Sequence, residues 1–196
     1  MKRLIYFSAL AVLMIALLGA CSNRKVQRVS PDQQIDLSGR WNDTDSKQAA
    51  EAMTNQSLSE QWLDNFRQAE GRKPVVIVGL VLNKSHEHIS AETFIKDLER
   101  SFINSGMVRL VQAGEMREAL RAERADQQDF ASPETMKKWG RELGADFMLQ
   151  GTINSIVDSY KKESVVYYQI NLELSNLETN EIVWIGEKKI KKYIQN

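Results

Sequence analysis

Residues 145–190 read ADFMLQGTINSIVDSYKKESVVYYQINLELSNLETNEIVWIGEKKI and contain the most regular pattern in the chain. From Val165 to Ser175, every even position is apolar or aromatic, and the odd positions from Gln169 onward are polar. Successive side chains of a strand point to opposite faces, so a period of two residues predicts a strand with one buried face. The helices of the chain must pack against that face.

A second alternating run precedes this strand. Positions 145, 147, 149 and 153 are apolar, and Gly151 falls on the same phase, where the missing side chain lets another backbone approach closely. The phase changes near Ser155 and Ile156, which predicts a β-bulge. A short connection at 160–163 joins the two runs, so we expect an antiparallel hairpin.

A continuous apolar run follows the central strand. The run Ile182–Ile185 contains no polar residue, and such a run is typical of a strand that is covered on both faces. The preceding residues 178–181 form a short connection in which Asn180 suits a left-handed position. The whole stretch therefore predicts three antiparallel strands joined by short turns.

Length and composition limit the class of protein. The chain has 196 residues, of which 42% are hydrophobic, and it carries 26 basic and 26 acidic residues. These values predict one globular domain with a sizeable core. The balanced charge lacks the basic footprint of a nucleic-acid-binding protein. Cys21 is the single cysteine, so no disulfide can form within the chain.

The N-terminus has the organisation of a secretory signal peptide. Two basic residues precede an apolar run at 4–18, which is too short to span a bilayer comfortably. The sequence LGAC at 18–21 resembles the bacterial lipobox. This resemblance implies removal of residues 1–20, a diacylglyceryl thioether on Cys21 and an acyl group such as palmitate on its amine. The alternative is an ordinary signal peptide in which the cysteine stands here by chance.

The residues after Cys21 predict a location and a tether. Ser22 stands in place of an aspartate, which by the sorting rule for such lipoproteins predicts an outer-membrane protein that faces the periplasm. Residues 21–34 are polar and include Pro31, so we expect a flexible tether that reaches roughly 50 Å when it is extended. The globular domain then occupies residues 35–196.

The first half of that domain predicts helices around one strand. An intermittent apolar stripe predicts a helix over 47–69, capped by Asp45 or Ser46 and interrupted near 55–57. The continuous apolar run at 75–82 favours a central strand that is covered on both faces.

Two further β-α steps complete the pattern. Ser90 is placed to cap a helix that ends at Gly106, and residues 107–111 predict a short strand. A helix over 114–126 is expected to bury its apolar face, and Ser132-Pro133-Glu134 opens another helix that ends at 144. The face expected to be buried holds Met116, Ala119 and Leu120.

The element order predicts the fold class. We expect a single α/β domain with a mixed sheet of about five strands, a C-terminal antiparallel meander and helices packed on the sheet in two or three layers.

One segment has the residue types of a metal site. His86-Glu87-His88 offers two imidazoles and a carboxylate. A metal centre needs a third and a fourth ligand, and the chain has no other histidine. We therefore interpret the segment as a solvated loop and expect no metal and no cofactor.

Motifs of catalysis are weak. The spacing Ser-x-x-Lys occurs at 22–25 and at 159–162, but the nucleophile needs a helix start to aim its hydroxyl, and the partner motifs Ser-Asp-Asn and Lys-Thr-Gly are missing. The carboxylates lie on polar helix faces, and no glycine-rich phosphate loop is present. The sequence therefore predicts a protein that is not an enzyme.

The four tryptophans divide into two groups. Trp62, Trp139 and Trp184 lie in periodic elements and are expected in the core. Trp41 lies beside Arg40 in a turn-rich segment. It can anchor the first helix to the sheet, or it can face a partner, as Trp and Arg often do at interfaces.

Four passages carry a family resemblance. They are DLSGRWNDTD at 36–45, KPVVIVG at 73–79, TFIKDLER at 93–100 and LGADFMLQGTI at 143–153. Together, and in this order, they resemble the LpoB family of lipoprotein activators of penicillin-binding proteins. The resemblance covers nearly all of the chain after the tether.

The resemblance implies a function. It implies an outer-membrane lipoprotein whose globular part is similar to the N-terminal domain of TolB. Such a protein docks onto a bifunctional class A penicillin-binding protein and stimulates its glycan polymerisation and peptide crosslinking, which regulates cell-wall synthesis and cell shape. It performs no reaction itself and takes no small-molecule substrate. The alternative is a structural lipoprotein of an envelope assembly or curli-type secretion complex, in which related α/β domains occur.

Two details complete the expectations. We expect a monomer that contacts the synthase through two segments, with the contact residues Arg40, Trp41, Asn83, Lys84, His86 and His88. Enteric members have a long, proline-rich tether, whereas the tether here is short. A taut tether and a domain roughly 40 Å across reach about 90 Å together.

Overall fold

The computed structural model describes residues 25–31, 33–130 and 142–195. The chain divides into a unit of residues 1–33 and a unit of residues 34–196, and every described helix and strand lies in the second unit. Cys21, Trp139 and nearly all of the helix predicted at 132–144 lie outside the described residues; positions 142–144 are described and are not helical. The described elements are α1 (Asp43–Leu58), α2 (Gln61–Glu70), β1 (Val75–Lys84), α3 (Ala91–Ser105), β2 (Arg109–Val111), α4 (Gly114–Phe130), β3 (Phe147–Tyr160), β4 (Glu163–Asn176) and β5 (Ile182–Gln195).

The five strands form one mixed sheet in the order β2-β1-β3-β4-β5. β1 pairs in parallel with β2 and β3, whereas β3, β4 and β5 pair antiparallel in sequence order. The parallel half is built by the β-α steps, because parallel neighbours need a long crossover, and the antiparallel half is built by tight turns. The predicted fold class is confirmed.

The meander follows the sequence pattern closely. Lys161 has a φ of 54° in the turn before β4, and Asn180 has a φ of 59° in the turn before β5, so both turns lie where they were predicted. The alternation in β4 is also confirmed. Between 166 and 174, its even-numbered side chains are all buried: Val166, Tyr168, Ile170, Leu172 and Leu174.

The bulge predicted near Ser155 and Ile156 is wrong. β3 and β4 keep one register from the pair Phe147–Asn176 to the pair Tyr160–Glu163. The change of pattern instead marks the point where the hairpin extends beyond the helices, because every residue from 156 to 163 is exposed. The register shifts of the sheet lie within β1 and at the end of β4.

Two strands that were predicted to be covered on both faces are covered less. In β5, Trp184 is buried, but Ile182 and Ile185 are 52% and 65% exposed. β5 is the edge of the sheet, and α1 packs against one of its faces. In β1, residues 75–78 are buried, whereas Leu80 is 64% exposed. The prediction is therefore wrong for β5 and correct only for the first half of β1.

Three helices cover the face of the sheet that holds the buried side chains of β4. The rings of Trp62 and Phe66 meet the ring of Phe147 edge to face, with centroids 5.1 and 5.3 Å apart. Trp62 and Trp184 lie in the core, as predicted. The largest fully buried side chains include Met53, Leu63, Phe94, Leu98, Phe102, Leu149, Ile153 and Tyr168.

The cap of α1 is Asn42 rather than Asp45 or Ser46. The Asn42 side chain accepts a hydrogen bond from the Asp45 N–H at 3.0 Å, and the Asp45 carboxylate accepts one from the Asn42 N–H at 2.9 Å. This reciprocal pattern is a capping box, which satisfies two amides that a helix start leaves unpaired. The helical region divides after Leu58 rather than within 55–57.

α3 agrees with its prediction, whereas α4 forms as predicted but does not bury its apolar face. Ser90 caps α3 by accepting from the Thr93 N–H at 3.3 Å, and Gly106 ends it with a φ of 63°. In α4, Met116 and Leu120 are 56% and 51% exposed, and Ala119 is exposed as well. Their predicted burial is wrong, because none of the described elements covers this side of α4.

Asp146 joins the start of β3 to the start of β1. Its carboxylate accepts from the Val75 N–H at 2.7 Å and from both terminal nitrogens of Arg72 at 2.7 and 2.8 Å. Partial burial raises the pKa of Asp146, but the hydrogen bonds from Arg72 and Val75 and the charge of Arg72 outweigh burial and hold the pKa below its ordinary 3.8. A carboxyl whose pKa is lowered by folding stabilises the fold above its unfolded pKa and loses that contribution as the pH falls through the folded pKa.

We expect Asp146→Asn to lower the free energy of unfolding at pH 7, and the difference from the unchanged chain to shrink as the pH falls below about 4. Chemical unfolding at pH 7 and at pH 3 measures both differences. Glu178→Gln, at an exposed turn position, serves as the control and should change neither value. A difference that is equal at the two pH values contradicts this role of Asp146.

Candidate partner-binding surface

Glu87 joins the two segments that were predicted to contact a partner. Its Oε2 accepts from the Trp41 N–H at 3.1 Å, and its Oε1 accepts from the Tyr168 hydroxyl at 2.7 Å. The side chain is only 11% exposed. The carboxylate therefore holds the segment before α1 and the loop after β1 against the same strand of the sheet.

The loop after β1 is fixed by its own hydrogen bonds. The Asn83 amide donates to the carbonyl oxygens of Glu87 at 2.8 Å and of Ile89 at 3.4 Å. Its Oδ1 accepts from the N–H of Ser85 at 2.9 Å and from the hydroxyl of the same residue at 2.7 Å. Asn83 thus has a structural role within the loop, and its position determines how the following side chains are presented.

Trp41 packs on the core. Its ring meets Phe94 and Tyr168 edge to face, with centroids 6.4 and 5.5 Å apart. This packing supports the first of the two alternatives, in which Trp41 anchors the start of α1 to the sheet. The aromatic pairs and the hydrogen bond from the Trp41 N–H to Glu87 then fix the backbone beside Arg40, whose side chain is exposed.

The loop that contains His86 and His88 contacts β3 through Ser155. The N–H of His86 donates to Ser155 Oγ at 3.0 Å, and Nδ1 lies 2.5 Å from the same oxygen. Its Nε2 lies 3.4 Å from Glu87 Oε1, and the side chain is 43% exposed. Lys84 and His88 are also exposed. Among the described residues, no group of three or more His, Cys, Asp or Glu side chains is close enough to hold a metal ion.

The ammonium group of Lys192 is nearly buried and also holds the segment before α1. Lys192 Nζ donates to the Arg40 carbonyl at 2.9 Å, to Asp36 at 3.0 Å and to Asp45 at 2.5 Å. The side chains of Lys192 and Asp45 are 12% and 11% exposed. Removing an ammonium from water costs free energy, and the hydrogen bonds to both carboxylates and to the carbonyl offset this desolvation cost.

The polar groups around Glu87 stabilise the fold of this surface. The pKa of Tyr168 is raised, first because the hydroxyl is buried and second because it donates to Glu87. Both oxygens of Glu87 are engaged by donors, so the carboxylate is occupied in holding the surface together. The Ser159–Lys162 spacing lies at the end of β3 and in the following turn, not at the helix start that the nucleophile would need.

Tyr168→Phe should lower the free energy of unfolding by about 2 kcal/mol, because it removes a hydrogen bond to a nearly buried carboxylate. Tyr167→Phe is the matched control on the opposite face of β4, since Tyr167 is half-buried and Tyr168 is buried; we expect it to be nearly neutral. Denaturant titration of both variants measures the difference. Equal losses would show that the Glu87 contact contributes nothing specific.

Sequence reasoning missed the residues that organise this surface. It singled out both segments but did not select Glu87, Tyr168 or Lys192. The bonds from Glu87 to Trp41 and Tyr168 span 46 and 81 residues, and spacing along the chain carries no signal for such pairs. The one local signal is an acid between two histidines, which alone is typical of a solvated loop.

One family model matches most of the chain. A family model described as the peptidoglycan-synthase activator LpoB matches residues 45–190. No curated protein matches the chain. Among the described residues, none of the helices has both the length and the apolar character to cross a membrane.

Solved structures of low identity resemble the chain. The C-terminal domain of LpoB from Salmonella enterica is 19% identical, with a TM-score of 0.41, and the match covers 74% of this chain and 98% of that one. The same domain from Escherichia coli is 20% identical, with a TM-score of 0.41, and the match covers 78% of this chain and 99% of that one. Lipoprotein GNA1162 from Neisseria meningitidis is 13% identical, with a TM-score of 0.41, and the match covers 61% of this chain and 83% of that one.

The family match runs from the first turn of α1 to the middle of β5 and so includes β1 to β4 and part of β5. It spans most of the chain and contains Glu87 with its surrounding loop. The chain therefore belongs to the LpoB family of peptidoglycan-synthase activators.

Proposed function

We propose that this protein is a lipid-anchored activator that binds a bifunctional class A penicillin-binding protein and raises its glycan polymerisation and peptide crosslinking. The observation that carries the proposal is the match of the LpoB family model over residues 45–190. The protein catalyses nothing in this scheme. It acts by binding one conformation of the synthase more tightly than another, since a ligand shifts an equilibrium only by its differential affinity.

The surface around Glu87 is the proposed contact. Arg40, Lys84, His86 and His88 are exposed there, while Trp41 and Asn83 hold the backbone that presents them. A backbone held by these contacts and carrying exposed basic groups and imidazoles favours binding, because less conformational entropy is lost when the partner docks.

The anchor is proposed from the sequence. In this account residues 1–20 are removed, Cys21 carries the lipid, residues 21–34 form the tether and residues 35–196 form the activator domain. The protein is a monomer in the outer membrane and faces the periplasm. At about 0.8 kcal/mol per buried methylene, three acyl chains exceed the two signals needed for stable anchoring.

Binding between the acylated full chain in nanodiscs and a purified class A synthase tests the proposal. We expect Arg40→Glu combined with His86→Glu to weaken binding about tenfold, which corresponds to 1.4 kcal/mol. Arg109→Glu, at an exposed position on the opposite edge strand β2, is the matched control and should leave the affinity unchanged.

Two outcomes would contradict parts of the proposal. Absence of binding at micromolar concentrations contradicts the function itself. Binding that is insensitive to the double charge reversal contradicts the assigned surface. A discrete ring-like oligomer in mild detergent, in place of a monomer, would favour the alternative role in an envelope assembly complex.

A further inference from the structure

The hairpin tip (residues 156–163) joins β3 to β4 and projects past the helices. Each of its residues is exposed, so both faces of the hairpin meet solvent. Ile156, Val157 and Tyr160 are 67%, 44% and 72% exposed. Single exposed apolar side chains are ordinary on a protein surface. Here Ile156 and Tyr160 lie on one face of the hairpin and Val157 lies on the other, so apolar side chains are exposed on both sides of its end.

The surroundings of the hairpin tip have the chemistry of a membrane boundary. Tyr193 of β5 is 61% exposed and pairs with Val165 in the register. Lys161 lies in the turn, with its Nζ 5.1 Å from the centroid of the Tyr160 ring, and Lys162 is its neighbour. Tyrosine has an apolar body and a polar end, and lysine has a long apolar stem, so both side chains suit the boundary between lipid and water.

The chain enters the domain beside the same hairpin. Lys192 holds Asp36 and the Arg40 carbonyl against β5. Lys192 pairs with Val166 of β4, and Val166 lies about 13 Å from Lys162 at 3.3 Å per residue. The point where the tether meets the domain is therefore at the hairpin end of the sheet, and the β4–β5 turn is at the other end.

We propose that the hairpin tip rests on the phospholipid surface that holds the lipid anchor. The proposal rests on the acylation of Cys21 that is part of the proposed function. A flexible tether of about 13 residues has a typical end-to-end distance of about 20 Å, so the hairpin tip reaches the lipid surface without stretching the tether. Covalent attachment raises the effective concentration of lipid at the tip.

The contact has a defined chemistry and a consequence. The side chains of Ile156, Val157 and Tyr160 leave water. Asp158 and Glu163 balance the charges of Lys161 and Lys162 within the hairpin tip, so the contact depends on the burial of apolar side chains. The domain then stands with its strands upright and its β4–β5 turn pointing away from the bilayer. The membrane thereby selects which faces of the domain a synthase can approach.

The acylated full chain in vesicles of phosphatidylethanolamine and phosphatidylglycerol tests the contact. Cys21 is the only cysteine of the chain, so an introduced cysteine is the single free thiol once Cys21 is acylated. An environment-sensitive dye is attached at Ser159→Cys in the hairpin tip or at Thr179→Cys in the β4–β5 turn. We expect spin-labelled lipids to quench the dye at 159 at least fivefold more strongly than the dye at 179.

Charge variants separate lipid contact from mere proximity. Ile156→Asp combined with Tyr160→Asp should reduce the quenching at 159 to the level at 179. Ile185→Asp, at a position on β5 that is 65% exposed, should leave it unchanged. All three positions are exposed, so the fold should persist, and circular dichroism verifies this.

Three results would overturn the proposal. The first is equal quenching at 159 and 179 in the acylated protein. The second is a response of the dye at 159 that requires added synthase rather than lipid, which would assign the hairpin tip to the protein partner. The third is a mature chain that mass spectrometry shows to be free of acyl groups. Only this third result also contradicts the anchor of the proposed function.

Discussion

Phe94→Ala should lower the free energy of unfolding by about 4 kcal/mol, because it removes a whole aromatic ring from the core. Phe94 has no exposed surface and lies where α3, the sheet and Trp41 meet. Truncation forfeits the transfer of the ring from water and leaves a cavity that the surrounding side chains fill only partly. Denaturant titration measures this loss, provided that the dependence of the unfolding free energy on denaturant concentration is the same for both chains.

Ile103→Ala is the control on the same helix. Ile103 is 60% exposed, so its truncation should change the free energy of unfolding by no more than about 0.5 kcal/mol. A Phe94→Ala loss as small as that of the control would mean that α3 does not pack on the sheet as described. Because Phe94 supports Trp41, we also expect the truncation to weaken binding to the synthase.

Gly151→Val should lower the free energy of unfolding by about 3 kcal/mol through overpacking. Gly151 lies on the buried face of β3 opposite Leu172 of β4. A Cβ at this position would overlap the carbonyl oxygen of Asn171 and lie 2.7 Å from the side chain of Leu172. β4 is paired on both edges. The added side chain would push β4 away from β3, and this displacement costs free energy because it breaks strand pairing.

Gly144→Val is the matched control for this substitution. Among the residues that the structure describes, a Cβ at Gly144 would meet no heavy atom within 4 Å, so the same change should be nearly neutral there. Thermal and chemical unfolding of the two variants measure the contrast. A Gly151→Val chain as stable as the control would contradict the close approach of β3 and β4.

The sequence predicted the meander well because the cause of its pattern is local. β4 is buried on one face along its whole length, and this burial appears as strict alternation from Val166 to Leu174. Gly151 was expected on the inner face where a backbone approaches, and the carbonyl of Asn171 occupies that space. Turn residues carry equally local information, as the positive φ of Asn180 illustrates.

The errors arose where burial depends on the order of the strands. The run Ile182–Ile185 suggests a strand with two covered faces, but β5 is at the edge of the sheet and Ile185 is exposed. In α4, helical spacing correctly predicted a helix but not whether anything covers Met116. Periodicity reports which residues share a face, whereas tertiary contacts decide whether that face is buried.

The candidate surface was predicted only in pieces. Arg40 and the His86 loop were singled out as separate segments, and the structure brings them together through Glu87. Hydrogen bonds between residues far apart in sequence leave no periodic trace, so the link could not be foreseen. The lipidation of Cys21 lies outside the described residues and stays a prediction.

We propose that this protein activates a cell-wall synthase without catalysing a reaction itself. The most direct measurement is the rate of glycan polymerisation by a class A synthase, reconstituted with lipid-linked precursor, as the purified acylated chain is added. We expect a saturable, severalfold increase in rate and no product when the synthase is omitted. An unchanged rate at concentrations that saturate binding, or turnover by the chain alone, would contradict it.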